Sequence, residues 1–301
     1  MPKYLIVVSG PTGIGKTALS LDIAKQYNAE IISCDSRQFY KEMSIGTAVP
    51  TSEELAQVKH HFIQNISIAK PYSVGKFERD ALEKIEDLHK TSNVVVMVGG
   101  SGLYVDAVCR GLDDFPTVPK EIRDDLNERC KTEGIEVLEK ELQQIDPDYH
   151  TIVDKSNPHR IIRALEIFKA SGKTFTSFRI RQQQKRNFKT VKVILNRDRE
   201  ELYQRINKRV DLMLEEGLLE EVKSVYPFRE NNALQTVGYK ELFAHIDGEI
   251  SLEFAIEEIK KNTRRYAKRQ MTWFRRDPDT IFFNPEDKAS VIEYLETVIP
   301  N

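Results

Sequence analysis

The chain has 301 residues, 40% of them hydrophobic and 31% charged, with a formal net charge of −2. That length buries a large core and leaves room for an insertion or second domain beside a main one. The near-neutral balance excludes a uniformly basic nucleic-acid binder, so any such surface must be local.

Taken in chain order, apolar strand-like runs cover 4–9, 29–33, 94–98, 191–196 and 280–283, with helix-like stretches between them. That alternation predicts an α/β fold with a mostly parallel sheet, whose ligand loops lie at the carboxyl ends of the strands. The first run leads into Gly10-Pro11-Thr12-Gly13-Ile14-Gly15-Lys16-Thr17, the G-x-x-x-x-G-K-T spacing of a P-loop. Gly10, Gly13 and Gly15 permit a tight turn whose N–H groups converge on an anion, Lys16 adds a mobile positive charge, and the Thr17 hydroxyl suits Mg²⁺. The following 18–24 run has helical apolar spacing, so a helix N-terminus faces the same phosphates. A diphosphate or triphosphate site follows; the reaction does not.

The second strand ends in Cys34-Asp35-Ser36-Arg37-Gln38 and the third in Gly99-Gly100-Ser101-Gly102, so three loops should converge on the P-loop. A phosphotransferase of this type usually places an acid near Mg²⁺ at a strand end. The third strand offers glycines instead, which leaves Asp35 as a magnesium-organising carboxylate, a general base or a plain Asx turn. Gln38 is of a type that reads adenine edges. From 115 to 190 the chain is charged, helical in period and without clear strands, with amphipathic helices over 121–132 and 160–170; it reads as an inserted helical subdomain between core segments 1–114 and 191–301. Arg160 and Arg163 share one face of the second helix.

The 260–276 stretch carries eight Lys or Arg and no acid, with Tyr266, Trp273 and Phe274 interleaved. A second acid-free basic stretch runs over 178–192. Such surfaces attract phosphate backbones, and aromatic rings stack on splayed bases; the bland alternative is a solvated helix face with Trp273 and Phe274 in the core. The six histidines show no metal-ligand pairing, and His60-His61 reads as a structural or surface pair. Cys34, Cys109 and Cys130 form no C-x-x-C pair, which argues against a zinc site and fits a reducing compartment. With no apolar run long enough to span a membrane and a strand at the very start, a cytoplasmic protein is expected.

Together GPTGIGKT, CDSRQFYK, VGGSGLY, NPHRIIRALE with SGKT, LQTVGYKE and NTRRYAKRQMTWFRRD resemble, in order and over nearly the whole chain, the bacterial tRNA dimethylallyltransferases. Ser101 stands where that family more often has Thr; both supply a hydroxyl. The resemblance implies a P-loop NTPase-like core and transfer of a dimethylallyl group from dimethylallyl diphosphate to N6 of adenosine-37, next to the tRNA anticodon, with Mg²⁺ as cofactor. The P-loop then holds a leaving group and phosphorus is never attacked. By the same resemblance Asp35 is the general base, Ser101 and Arg123 assist at the diphosphate or amine, and Thr17 meets the metal. Asp35, Ser36, Arg37 and Gln38 receive the everted adenosine, while His159, Arg160, Arg163, Arg264, Arg265, Lys268, Arg269 and Arg275 grip the anticodon stem-loop. A monomer is expected. The competing readings are an ATP-dependent small-molecule kinase, a prenyltransferase acting on free adenine nucleotides, and a non-catalytic RNA-binding module with a nucleotide switch.

Overall fold

The structure, a computed structural model, describes residues 2–179, 184–278 and 280–300. The chain divides into two compact units, Met1–Arg110 with Lys185–Asn301, and Gly111–Gln184.

The first unit is built on a six-stranded sheet of β1 (Tyr4–Ser9), β2 (Ile31–Ser33), β3 (His60–His61), β4 (Val94–Gly99), β5 (Lys189–Leu195) and β6 (Phe282–Phe283), in the order β3-β2-β4-β1-β5-β6. Every pairing is parallel. Strands covered on both faces need apolar side chains at every position, not at alternate ones, and all six residues of β1 are buried. Leu5, Val7, Val95 and Met97 face one layer, with Phe77 and Ile85 of helix Val74–Leu88 and Val105 and Val108 of helix Gly102–Arg110. Tyr4, Ile6, Val8, Val94 and Val96 face the other, with Leu19 and Ile23 of helix Lys16–Gln26 and Val291 and Leu295 of helix Lys288–Val298.

The strand edges differ from the sequence expectation. Asn28 takes a left-handed φ of 47° and the Ala29 N–H is bonded to the Ala24 carbonyl of the preceding helix at 2.8 Å; β2 starts at Ile31, whose N–H donates to the Lys59 carbonyl. The two-residue β3 carries no apolar signal: His61 Nε2 lies 2.6 Å from a Glu30 carboxylate oxygen and His60 Nδ1 2.7 Å from the Val58 carbonyl. Both histidines serve the sheet edge.

The second unit packs helices Lys120–Thr132, Ile135–Ile145 and Pro158–Ser171 around Leu126, Leu138, Leu142, Ile161 and Leu165. Asn157 caps the last of these, with Pro158 in its first turn, and Gly172 ends it in the left-handed region, φ 70°. The division points fall earlier than the 115 and 190 expected. Arg186 already belongs to the core unit, donating to the carbonyls of Val108 and Ala107 and pairing with Glu78 at 2.6 Å, and β5 begins at Lys189. Within the basic stretch 178–192, Arg186 and Lys192, the latter bound to Asp277 at 2.9 Å, are paired inside the fold, whereas Lys185 and Lys189 are exposed. Residues 180–183 of that stretch lie outside the described residues. Among the described residues no helix is long and apolar enough to cross a membrane.

Candidate active site

The three expected loops meet at the carboxyl end of the sheet, and hydrogen bonds tie them together. Gly10, Gly13 and Gly15 all take positive φ, of 150°, 77° and 110°. Only glycine tolerates the latter two without strain, and at Gly10 a Cβ would stand 2.8 Å from the Leu195 carbonyl oxygen. Pro11 and Ile14 are buried beneath the loop, while Thr12 and Thr17 are half-buried. Lys16 Nζ folds back onto the carbonyls of Gly10 and Pro11, at 3.1 and 2.8 Å. Burial pushes its ammonium down to about 8 against the pull of the nearby Asp35 carboxylate, and the Arg209 guanidinium adds to the lowering.

Asp35 follows β2. One carboxylate oxygen accepts from the Arg37 backbone N–H at 3.0 Å, the Asx turn that was the plain alternative for this residue. The turn does not remove it from the site, since its charge acts on Lys16, Arg209 and Tyr266 together. Ser101, after β4, accepts from the Ser36 N–H and donates to the Ser36 hydroxyl, both at 3.2 Å. The glycines around it allow this approach: a Cβ on Gly99 would lie 2.6 Å from Cys34 Sγ, and one on Gly100 2.3 Å from Gln270 Nε2.

Gln38 is hydrogen-bonded within its own loop. Its Oε1 accepts from the Ser33 hydroxyl and its Nε2 donates to the carbonyls of Thr47 and Ala48, so the amide that was to read an adenine edge is committed to holding its own loop. Arg37 likewise spends Nη1 on the Asn232 carbonyl at 2.9 Å.

The basic stretch lies on helix Leu252–Phe274 and its C-cap Arg275. Ala267, Gln270, Met271 and Phe274 face inward, while Arg265, Lys268, Arg269 and Arg275 are exposed. Arg264 is held by Asn207 at 2.7 Å and lies over the Tyr203 ring, which makes it the least available of the set. Trp273 is half-buried and donates to Asp106 at 2.9 Å, while Phe274 is buried, so the core reading holds for Phe274. Tyr266 is a partly exposed aromatic between the basic face and the site. Burial together with Asp35 pushes its hydroxyl up to about 12, with Ser101 pulling the other way.

Sequence reasoning missed three residues. The buried Gln270 accepts from the Thr12 N–H at 2.9 Å and donates to the Gly100 carbonyl at 2.8 Å, bolting two site loops to the basic helix. Arg205 donates to the Gly13 carbonyl at 3.0 Å. The Arg209 guanidinium is held near Asp35 and Lys16, its pKa lowered by burial. Arg205 and Arg209 sit four apart on helix Arg199–Glu215, a spacing that could have flagged a shared face; Gln270 gave no signal beyond its place in a basic run.

Four predicted residues belong to the second unit. His159 and Arg160 are exposed at the start of helix Pro158–Ser171. Arg163 donates to Glu166 at 2.5 Å, and Arg123 is bidentate on the same carboxylate, 2.6 Å from each oxygen. Arg160 and Arg163 therefore share a helix face but not a neighbourhood: one is open to solvent, the other paired with Glu166. Arg123, expected at the diphosphate, is likewise paired here.

Among the described residues no group of three or more His, Cys, Asp or Glu is placed to hold a metal. A P-loop hydroxyl with one nearby carboxylate is nevertheless a donor set that suits Mg²⁺, which keeps several waters and takes its remaining ligands from phosphate.

The profile of a family described as IPP transferase matches residues 38–277. The chain belongs to this family. It is 55% identical over 300 residues to the tRNA dimethylallyltransferase of Christiangramia forsetii, covering 99% of each chain, and 50% identical to tRNA dimethylallyltransferase 1 of Phocaeicola vulgatus, again over 99% of each. A crystal structure of the tRNA isopentenylpyrophosphate transferase of Bacillus halodurans is similar with a TM-score of 0.72 at 36% identity, covering 98% of this chain and 95% of that one. A eukaryotic dimethylallyltransferase seen acting on tRNA gives a TM-score of 0.78 at 29% identity, over 98% of this chain and 76% of that one. IPP transferases are prenyl-transferring enzymes by name, and the three-loop site has the parts such a reaction uses.

Proposed function

We propose that this chain is a tRNA dimethylallyltransferase, moving the dimethylallyl group of dimethylallyl diphosphate to N6 of adenosine-37 and releasing diphosphate. The observation that carries the reading is Gln270. One helix presents Arg265, Lys268 and Arg269 to solvent and, through this single side chain, is hydrogen-bonded to the P-loop and to the Ser101 loop. A surface suited to RNA is thereby fixed to a cradle suited to diphosphate, a link that neither a small-molecule kinase nor an enzyme of free nucleotides needs.

The chemistry follows from the parts. An adenine amine is a weak nucleophile because its lone pair is delocalised into the ring. As the new N–C bond forms at the allyl carbon, the C–O bond to diphosphate breaks and the electron pair leaves with oxygen. The amides of residues 13–17 and Lys16, with Arg209 close by, stabilise that growing charge. Asp35 takes the proton from N6, and Ser101, oriented by Ser36, holds the amine or diphosphate. Mg²⁺ on Thr17 would neutralise diphosphate charge. The target base leaves the anticodon stack to reach the site, and the exposed arginines and Lys268 hold the stem-loop backbone. The protein acts in the cytoplasm as a monomer.

The test is incubation with unmodified tRNA, dimethylallyl diphosphate and Mg²⁺, followed by digestion and mass spectrometry of the nucleosides. A dimethylallyl adenosine is expected. Formation of ADP from ATP with a small acceptor, and unchanged tRNA, would replace this reading by the kinase one.

A further inference from the structure

The stretch 234–241, Leu-Gln-Thr-Val-Gly-Tyr-Lys-Glu, takes no part in the transfer chemistry above, yet it is built onto the loop that follows Asp35. Tyr239, fully buried, donates its hydroxyl to Glu221 of helix Leu218–Val225 at 2.6 Å. The same carboxylate accepts three successive backbone N–H groups, from Ser44 at 2.9 Å, Ile45 at 2.7 Å and Gly46 at 2.9 Å. Consecutive amides turned the same way form an anion nest, and here a side chain of the protein fills it. Each carboxylate oxygen takes two donors, and all four donors are neutral. Gly46 permits the close approach: a Cβ there would stand 2.6 Å from the Tyr239 ring.

Fixing residues 44–46 fixes what hangs from them. The carbonyls of Thr47 and Ala48 accept from Gln38 Nε2 at 3.2 and 2.9 Å. Gln38 Oε1 accepts from the buried Ser33 hydroxyl at 3.1 Å, and Ser33 Oγ accepts from the Asp35 N–H at 3.4 Å. Two non-glycine residues of this assembly take left-handed φ, Ala48 at 46° and Gln64 at 47°; Gln64 donates its N–H to the Gln38 carbonyl and its side chain to Ser44 Oγ. Such strain persists where the surroundings over-determine the backbone, and it collects at functional loops.

We propose that Glu221 is a positioning residue for the transfer: seated in the nest of residues 44–46 beneath Tyr239, it sets Gln38 and, through Ser33, the backbone of Asp35. The Asp35 carboxylate is thereby held where it can take the N6 proton. The inference rests on the transferase reading for that proton; the seating of the loop stands without it.

The experiment compares the wild-type protein with Glu221→Gln, Tyr239→Phe, Gln38→Leu, the Glu221→Gln/Gln38→Leu double variant and Val222→Ala. The last trims a core side chain on the same helix that makes none of these hydrogen bonds. Measured are kcat and KM for each substrate, the thermal midpoint, and hydrogen exchange of the backbone amides 36–48 and 12–17. Glutamine sets an NH₂ against donors, so Glu221→Gln should displace the loop and lower kcat about 10- to 100-fold, the cost of misplacing a reacting group by up to an ångström. KM for dimethylallyl diphosphate should stay within about threefold, because the interaction lost acts on the chemical step. Tyr239→Phe removes one donor of four and should lose less. Gln38→Leu breaks the same chain further along, so the double variant should lose little more than the worse single one. Val222→Ala should melt lower and keep kcat within about twofold at a temperature where it is folded, as for a change confined to the core. A Glu221→Gln kcat within about twofold of wild type, an equal loss in Val222→Ala, or losses that multiply in the double variant would each overturn the proposal. If Glu221→Gln does not fold, Tyr239→Phe, Gln38→Leu and their double variant decide by the same rule. Should the wild type transfer no prenyl group, the transferase reading fails, while faster exchange at 36–48 with unchanged exchange at 12–17 in Glu221→Gln still supports the seating; unchanged exchange at both would overturn it.

Discussion

Replacing Gln270 by leucine removes a side chain that fastens both the P-loop and the Ser101 loop to the basic helix. The volume is nearly kept, so no large cavity opens, but the Thr12 N–H and the Gly100 carbonyl lose their partners. A stranded buried polar group costs about 1–3 kcal/mol. Gly100 is buried and Thr12 only half so, which places the sum at about 2–4 kcal/mol. At about 2–4 °C per kcal/mol for a domain of this size, the thermal midpoint should fall by roughly 5–15 °C. The catalytic loss is separate. A cradle whose amides shift by a fraction of an ångström should lose on the order of 10- to 100-fold in kcat/KM for dimethylallyl diphosphate, because positioning supplies much of the rate. Gln270→Glu sharpens the test. It keeps the acceptor for Thr12 but sets a carboxylate against the Gly100 carbonyl and beside an anion site, so diphosphate affinity should drop more than stability does. Calorimetric melting and steady-state kinetics with saturating tRNA measure both. A Gln270→Leu enzyme with unchanged melting and unchanged kcat/KM would refute the idea that this residue couples the loops.

Asp35→Ala should cut kcat by about 10²–10⁴-fold, as for a lost general base, with tRNA affinity retained in a filter-binding assay; near-normal turnover would remove Asp35 from that role. Because the free enzyme holds Lys16 near 8 instead of its ordinary 10.5, kcat/KM for the prenyl substrate should decline above about pH 8. The same shift means that a charged Lys16 costs the fold stability below pH 8, a cost relieved as pH climbs from about 8 toward 10.5, where only the unfolded chain stays protonated; a profile flat to pH 9.5 would contradict this. Neutralising Lys268 and Arg269 together should reduce the slope of log Kd for tRNA against log salt by about two, whereas neutralising Arg264, tied to Asn207, should change it less. Glu221→Ala strands the N–H groups of Ser44, Ile45 and Gly46 and the Tyr239 hydroxyl, all of which it now accepts. A loss of about 3 kcal/mol or more in urea unfolding is expected, and a loss under 1 kcal/mol would show the loop to be held elsewhere.

The sheet was legible in the sequence because strands buried on both faces must be continuously apolar, and the P-loop because its glycines are dictated by backbone geometry. The Asp35 and Ser101 loops could be placed as well, since parallel strands send their carboxyl ends to one edge. Short edge strands such as His60–His61 carry no such pattern, being set by Glu30 and by the neighbouring backbone. Side-chain partners distant in sequence were equally silent. Nothing in a run of basic residues says that Gln270 reaches a loop 258 positions away, or that Glu221 caps one 175 positions away. Type alone did not show that Gln38 and Arg123 are hydrogen-bonded to their own protein, because a side chain suited to reading a ligand is as well suited to that, and only the three-dimensional neighbourhood shows it.

The central claim is that the glycine loop grips a diphosphate while carbon departs from it. Dimethylallyl diphosphate carrying oxygen-18 in the bridging position, reacted with an unmodified anticodon stem-loop, tests this directly. All of the heavy oxygen should be found in released diphosphate, one per prenyl group gained by the RNA at N6. Heavy oxygen kept on a prenyl alcohol, with phosphoryl groups moved onto RNA or water, would mean that phosphorus is the atom attacked.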